Sequence, residues 1–183
     1  MGLNFIDSFS FLDTSLANLV KNLRNDKHFD EEHFVHLRNH FPTNTSLLLR
    51  KGVYPYEYMH STQQFEEICL PCQDDFYYSL TQSHISTEDY IHAIEVWKSF
   101  QVKNMGEYHD LYLKCDVLQL ADVFEHFRNK CLTNFKLDPA HYISTPQFAW
   151  DAMFLCFFFF LIIIIKHTTL NLLNNFVCYS IFF

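Results

Sequence analysis

At 183 residues the chain is long enough for one domain with a real core and too short for a large multidomain enzyme. Charged residues make up 19% and Gly and Pro number only 3 and 5, which excludes a long disordered linker, while the aromatic share of 18% is raised by 21 Phe gathered toward the C-terminus. The formal net charge of -8 argues against nonspecific attraction to a phosphate backbone, so any nucleic-acid contact would be local or supplied by other parts of a longer protein.

In chain order, Asn4 to Leu23 reads as a short strand at Phe5-Ile6 followed by a helix. Leu12, Leu16, Leu19, Val20 and Leu23 recur at helical spacing, and Asp13 or Thr14 is expected to cap the helix by accepting from a backbone N–H of its first turn. Arg24 to Phe41 is highly charged around Phe29, Phe34, Leu37 and Phe41 and reads as a solvated helix with one apolar edge. Leu47-Leu48-Leu49 then meets Arg50-Lys51-Gly52-Val53 and the tyrosine-rich Tyr54-Pro55-Tyr56-Glu57-Tyr58, where Gly52 is expected to permit a turn and Pro55 to block a helix. Ser86-Thr87-Glu88-Asp89 resembles a capping box with Asp in the usual Glu place, opening a helix with Tyr90, Ile94, Trp97 and Phe100 on one face. A second helix is expected from about Glu107 to Lys130, its buried side marked by Leu111, Cys115, Leu118, Val123 or Phe124, and Phe127.

Residues 152–165 are an unbroken apolar run holding four consecutive Phe and four consecutive Ile. The run is shorter than the roughly 18 to 20 residues that span a bilayer. It reaches that length only by recruiting Phe148, Ala149 and Trp150 past Asp151. The segment 152–183 is therefore read either as a membrane anchor or as a buried or aberrant tail, the latter being what reading past an exon boundary would produce. The six cysteines, Cys69, Cys72, Cys115, Cys131, Cys156 and Cys178, follow no signal peptide and are expected as reduced thiols. Cys69-Leu-Pro-Cys72 has zinc-ligand spacing, yet no second C-x-x-C follows, and His60, His84 and His92 complete no pattern.

The chemistry concentrates in Tyr108-His109-Asp110-Leu111-Tyr112-Leu113-Lys114-Cys115-Asp116-Val117. Tyr112 and Asp116 are four apart on the expected helix and so emerge from one face. A carboxylate that holds a divalent metal and a tyrosine that orients water or the scissile phosphate are what a 3′–5′ exonuclease requires. The same spacing by itself also describes an amphipathic helix with a half-buried tyrosine.

Five blocks in order, Phe5-Ile6-Asp7-Ser8-Phe9, 50–59, 108–117, Leu137-Asp138-Pro139-Ala140-His141-Tyr142 and Ala149-Trp150-Asp151-Ala152, resemble the protein-primed family B DNA polymerases. The closest form is that of large self-synthesising DNA transposons, and the resemblance covers about Phe5 to Met153. It implies an α/β fold class, the C-terminal part of a ribonuclease-H-like exonuclease, mostly helical here because its strands lie upstream. On that basis residues 1–136 end the exonuclease domain, 137–151 begin the connection to the polymerase domain, and 152–183 form the tail. The resemblance gives Asp116 the role of metal-binding carboxylate and Tyr112 that of positioning the hydrolytic water. Lys51 matches a lysine that holds the scissile phosphate, where a cation offsets charge in the transition state. A surface lysine beside a turn is the alternative for Lys51, and His109 and Asp110 receive no role.

The full-length family uses Mg or Mn, DNA and a terminal protein primer, and a transposon-derived member would be nuclear. The first two exonuclease motifs are expected upstream of Phe5 and the polymerase signatures downstream of Trp150. The chain as given is therefore expected to be inactive, to bind DNA weakly or not at all and to hold no metal. Without its sheet partner the face of Tyr90, Ile94 and Trp97 is expected to be bare and the fragment only marginally stable. Two other readings stay open: a membrane-tethered interaction protein anchored through 152–165, and a soluble helical binding domain with a recognition surface at Tyr54 to Tyr58.

Overall fold

The computed structural model describes residues 6–25 and 33–180, with side chains up to 166. Five α-helices carry the described residues: α1 (Leu16–Arg24), α2 (Val35–His40), α3 (Thr87–Ser99), α4 (Met105–Phe135) and α5 (Thr145–Ser180), with short 3-10 turns between them. Among the described residues there is no β-strand, only one isolated bridge between Tyr78 and Ser83. The protein is thus mostly helical, as the periodicities require. Ile6 is irregular, and Phe5, the other half of the expected first strand, lies outside the described residues.

The chain divides into two units, Thr14–His126 and the pair of segments Met1–Asp13 and Phe127–Phe183. In the first unit, α1 is capped by Ser15 rather than by Asp13 or Thr14, because the Ser15 hydroxyl reaches the backbone N–H of Asn18 while the Thr14 hydroxyl is taken by the Asn18 side-chain amide. Of the expected solvated helix over Arg24 to Phe41, residues 26–32 lie outside the described residues; past them the helix is the six residues of α2, and its entry is no solvated edge, since Phe34 and Leu37 are fully buried. The cause lies far along the chain. Asp122 of α4, itself buried, accepts from the backbone N–H groups of His36 at 2.9 Å and Leu37 at 3.0 Å, supplying the carboxylate cap that α2 lacks locally.

The α3 helix starts as its sequence demands, with the Ser86 hydroxyl accepting from the Asp89 N–H and donating to the Asp89 carboxylate. Its buried line is shifted from the expected face: Ala93 and Val96 are buried, with Tyr90, Ile94 and Trp97 flanking them half-buried. These two residues join Met105, Tyr108 and Leu111 of α4 in the core, and Phe41, Leu47, Val53, Tyr54, Trp97 and Phe100 close around it. The α3 face is consequently covered without a sheet. Trp97 packs on Tyr108 with ring centroids 5.7 Å apart, and the Tyr90 hydroxyl donates to the Pro71 carbonyl at 3.0 Å.

Helix α4 extends beyond the expected bounds at both ends. Leu111, Cys115 and Val123 are buried as anticipated, while Leu118, Phe124 and Phe127 are only half-buried. Two polar residues, Gln119 and Asp122, share its buried side and were not legible as such, because each is buried to bind backbone groups of distant segments.

In the second unit, Phe11, Cys131, Phe148 and Ala152 are buried, and the Thr145 hydroxyl at the start of α5 donates to the Ser10 carbonyl at 2.9 Å. Asp138 caps the turn at Pro139–His141 by accepting from the Ala140 N–H and is gripped by the Arg128 guanidinium through two nitrogens. Helix α5 continues through the whole apolar run, and its side chains from Phe157 to Ile165 are exposed.

Candidate functional site

The segment from Leu48, which closes a 3-10 turn, to Tyr54 is irregular and lies along α4, held there by a series of side chains at helical spacing on that helix. Gln119 donates its amide to the carbonyls of Leu48 and Arg50, the latter at 2.9 Å, and the Tyr108 hydroxyl donates to the Val53 carbonyl at 2.7 Å. Each of these carbonyls would otherwise be an unsatisfied acceptor in a segment that makes no sheet. Between the two anchors lie Lys51 and Gly52, and opposite them on α4 lie Tyr112 and Asp116.

Gly52 has a role other than the one its residue type suggests. No described glycine has positive φ, so no turn requires it. A Cβ at this position would stand 3.0 Å from Cδ2 and 3.2 Å from Cε2 of Tyr112, so the missing side chain is what lets the tyrosine ring lie against the backbone. Tyr112 is held on other sides by Tyr54, stacked at 4.9 Å and 27°, and by Tyr56, whose hydroxyl shares a short hydrogen bond with its own. His109 in turn contacts the Tyr54 hydroxyl at 2.8 Å through Nδ1, which gives a positioning role to a residue that had none from sequence.

All three residues singled out in the sequence come together. The Nζ of Lys51 is 3.8 Å from Oδ2 of Asp116, too long for a hydrogen bond but close enough for an ion pair, with the carboxylate the more buried partner. Tyr112 sits one helical turn before Asp116, and burial foremost, then the Tyr56 hydrogen bond and the Asp116 charge, push its hydroxyl above the ordinary phenol range. It is therefore a protonated donor at neutral pH. Arg50, next to Lys51, is ion-paired with Asp89 at the start of α3, so the segment is tied to both long helices of its unit.

An ammonium, a carboxylate and a protonated phenol thus converge at one place. The buried Oδ1 of Asp116 has no hydrogen-bond partner among the described residues, an orphaned lone pair suited to a single bond to a hard cation. Among the described residues no group of three or more His, Cys, Asp or Glu side chains gathers to hold a metal. The set offers one oxygen ligand and does not make a complete metal shell. Cys69 and Cys72 are exposed free thiols, the second donating to the Asp75 carboxylate at 2.8 Å. Cys115, Cys131 and Cys156 are also free, and the side chain of Cys178 lies outside the described residues.

Sequence reasoning found Lys51, Tyr112 and Asp116 and offered Tyr54 to Tyr58 only as a recognition surface; that Tyr54, Tyr56, Tyr108 and Gln119 hold the three in place is seen only in the structure. The available signal was the density of tyrosine in 54–58 together with a glutamine four residues after a buried cysteine. Comparison with protein-family models, with curated proteins and with solved structures gives no match.

Proposed function

We propose that this chain carries one corner of a 3′–5′ exonuclease site in the proofreading domain of a protein-primed family B DNA polymerase, with Lys51, Tyr112 and Asp116 as the working residues. The observation that carries the reading is the convergence of Lys51 with Asp116 at 3.8 Å beside Tyr112, from segments that are distant in the chain. Phosphodiester hydrolysis builds negative charge on the phosphoryl oxygens, and a lysine at this place offsets it. The protonated Tyr112 hydroxyl orients the water or a phosphate oxygen by donation, and Asp116 supplies one carboxylate oxygen toward a Mg or Mn ion. The remaining ligands and the strands of the α/β ribonuclease-H-like layer belong to other parts of the full-length protein, so the chain alone is inactive in this reading.

The test begins with the transcript across both ends of the reading frame, then expresses the longest product. A product carrying D-x-E upstream trims a 3′-labelled single strand in Mg²⁺ or Mn²⁺, the present chain does not, and Asp116→Ala in the longer product abolishes trimming while sparing synthesis. Trimming that survives Asp116→Ala sinks the assignment.

A second reading concerns α5 and is an alternative to the first, which continues past Trp150 into polymerase sequence. Thr145–Lys166 is a stretch of 22 residues, about 33 Å of helix at 1.5 Å per residue, and only 11% of its most apolar portion is buried. Apolar side chains exposed on all sides of the helix from Phe157 to Ile165 suit lipid better than water. We infer a membrane anchor, tested by alkaline carbonate extraction: the full chain stays with the membrane pellet if α5 inserts and is released if it does not.

A further inference from the structure

The pair Cys69-Leu-Pro-Cys72 takes no part in the corner formed by Lys51, Tyr112 and Asp116. Both of its thiols are exposed, whereas Cys115 and Cys131 are buried and Cys156 stands on α5. Residues 67–72 belong to no helix and no strand, and Cys69 sits at a bend in them. The middle of the segment is pinned, because the Tyr90 hydroxyl of α3 donates to the Pro71 carbonyl at 3.0 Å. Burial, then the charges of Cys72, Asp75 and Cys69, push that hydroxyl above the ordinary phenol range, so both sulfurs and the carboxylate act on one point. Asp75 also holds the second cysteine. Its Oδ2 accepts from the Cys72 thiol at 2.8 Å and from the Cys72 backbone N–H at 3.2 Å, closing the turn Gln73–Phe76 that carries Phe76 into the core.

We propose that Cys69 and Cys72 are a reversible dithiol–disulfide couple, oxidised by small disulfides of the glutathione class, with Asp75 favouring the reduced form. A disulfide requires Cα atoms about 4.4–6.8 Å apart, and three residues of chain span at most ~10 Å, so closure asks no more than a local bend of an irregular segment. In the first step the thiolate of one cysteine attacks the small disulfide RSSR, giving a mixed disulfide and expelling RS⁻. The other thiolate then attacks the cysteine sulfur of the mixed disulfide, closing the Cys69–Cys72 bond and expelling the second RS⁻. Both RS⁻ take up the protons that the two cysteines released, and two electrons pass to the small disulfide. Oxidation removes the Cys72 S–H that Asp75 accepts, so this hydrogen bond belongs to the reduced form alone and raises the reduction potential of the pair. The pair stays reduced against a reducing glutathione pool and closes as that pool is oxidised. The proposal goes beyond the exonuclease reading and does not rest on it, since neither sulfur nor Asp75 belongs to the hydrolytic corner.

The experiment holds the full chain, in non-ionic detergent, in buffers stepped from reduced to oxidised glutathione, quenches with acid, alkylates the remaining thiols and reads the peptide containing 69–72 by mass spectrometry. The wild type should lose two hydrogens at Cys69 and Cys72 together, with a single midpoint, and regain them in dithiothreitol. Cys69→Ser should stop at a glutathione adduct on Cys72, and Cys72→Ser at one on Cys69. Asp75→Ala, which removes a hydrogen bond of the reduced form, should favour the disulfide by about 5-fold in the equilibrium constant, ~20 mV at about 29.6 mV per tenfold. Protection of Cys115 and Cys131 from alkylation before the quench reports that each variant is folded. The proposal is overturned if the wild type keeps both thiols in oxidised glutathione, if it stops at mixed disulfides on both cysteines, if it gives only disulfide-linked dimers, or if the Asp75→Ala midpoint is that of the wild type.

Discussion

The ring of Tyr112 lies so close to the backbone of Gly52 that a methyl group there would stand 3.0 Å from Cδ2. Replacing Gly52 by Ala must push the ring aside, and the ring is wedged between Tyr54 and Tyr56. The backbone itself accepts alanine, since its φ is not positive. The expected result is a loss of about 1–3 kcal/mol from overpacking, offset by about 0.4–1 kcal/mol from reduced freedom of the unfolded chain. Chemical unfolding read by Trp97 fluorescence in a Trp150→Phe background measures it, and a stabilised Gly52→Ala protein would contradict the packing described.

Tyr108 fixes the other end of the same segment. Removing its hydroxyl in Tyr108→Phe leaves the Val53 carbonyl without the donor at 2.7 Å while keeping the ring in the core. A loss of about 1 kcal/mol is expected. Amide hydrogen exchange should rise locally in 51–54, and unchanged protection there would show that the segment is held by something else.

Asp122→Ala is expected to be the more damaging change. It strands two backbone N–H groups at the start of α2, one of them buried, and should cost about 2–3 kcal/mol. Asp122→Asn retains one acceptor oxygen and should fall between the two proteins in the same unfolding measurement.

Acid titration separates the Arg128–Asp138 pair from the rest. The hydrogen bond from Arg128, chiefly, holds the Asp138 carboxyl down to about 2 from 3.8. A lowered folded pKa means that the pair's contribution is fully present above 3.8 and is lost as pH falls through about 2. The ¹³C carboxyl resonance of Asp138 should therefore titrate at about 2 in the wild type and return toward 3.8 in Arg128→Gln. A resonance already at the ordinary position in the wild type would refute the pairing.

In a longer product that degrades 3′ ends, Lys51→Ala should lower the rate by about 10²–10³-fold, the range for removing one preorganised charge-stabilising group. Tyr112→Phe should lower it too, through loss of its donor. A quench-flow assay on a labelled single strand measures both, and a Lys51→Ala enzyme of normal rate would return that lysine to the role of a surface partner of Asp116.

The local elements were largely legible in the sequence because their causes are local. Ser86 and Asp89 lie within one turn of each other, so the start of α3 could be read directly, and Leu111, Cys115 and Val123 mark the buried side of α4 by spacing alone. The helical placement of Tyr112 and Asp116 on one face followed from their separation of one turn. What tertiary structure decided are the relationships between distant segments. Asp122 caps a helix far before it in the chain, Gln119 and Tyr108 bind carbonyls of the 48–53 segment, and Lys51 reaches Asp116 only because those bonds lay its segment along α4. Sequence period reports which side of a helix is buried, but not which backbone groups a buried polar side chain must satisfy. Gly52 is the sharpest case: its identity suggested a turn, and only the position of the Tyr112 ring shows that the requirement is space, since a missing Cβ serves either purpose and the neighbour decides between them.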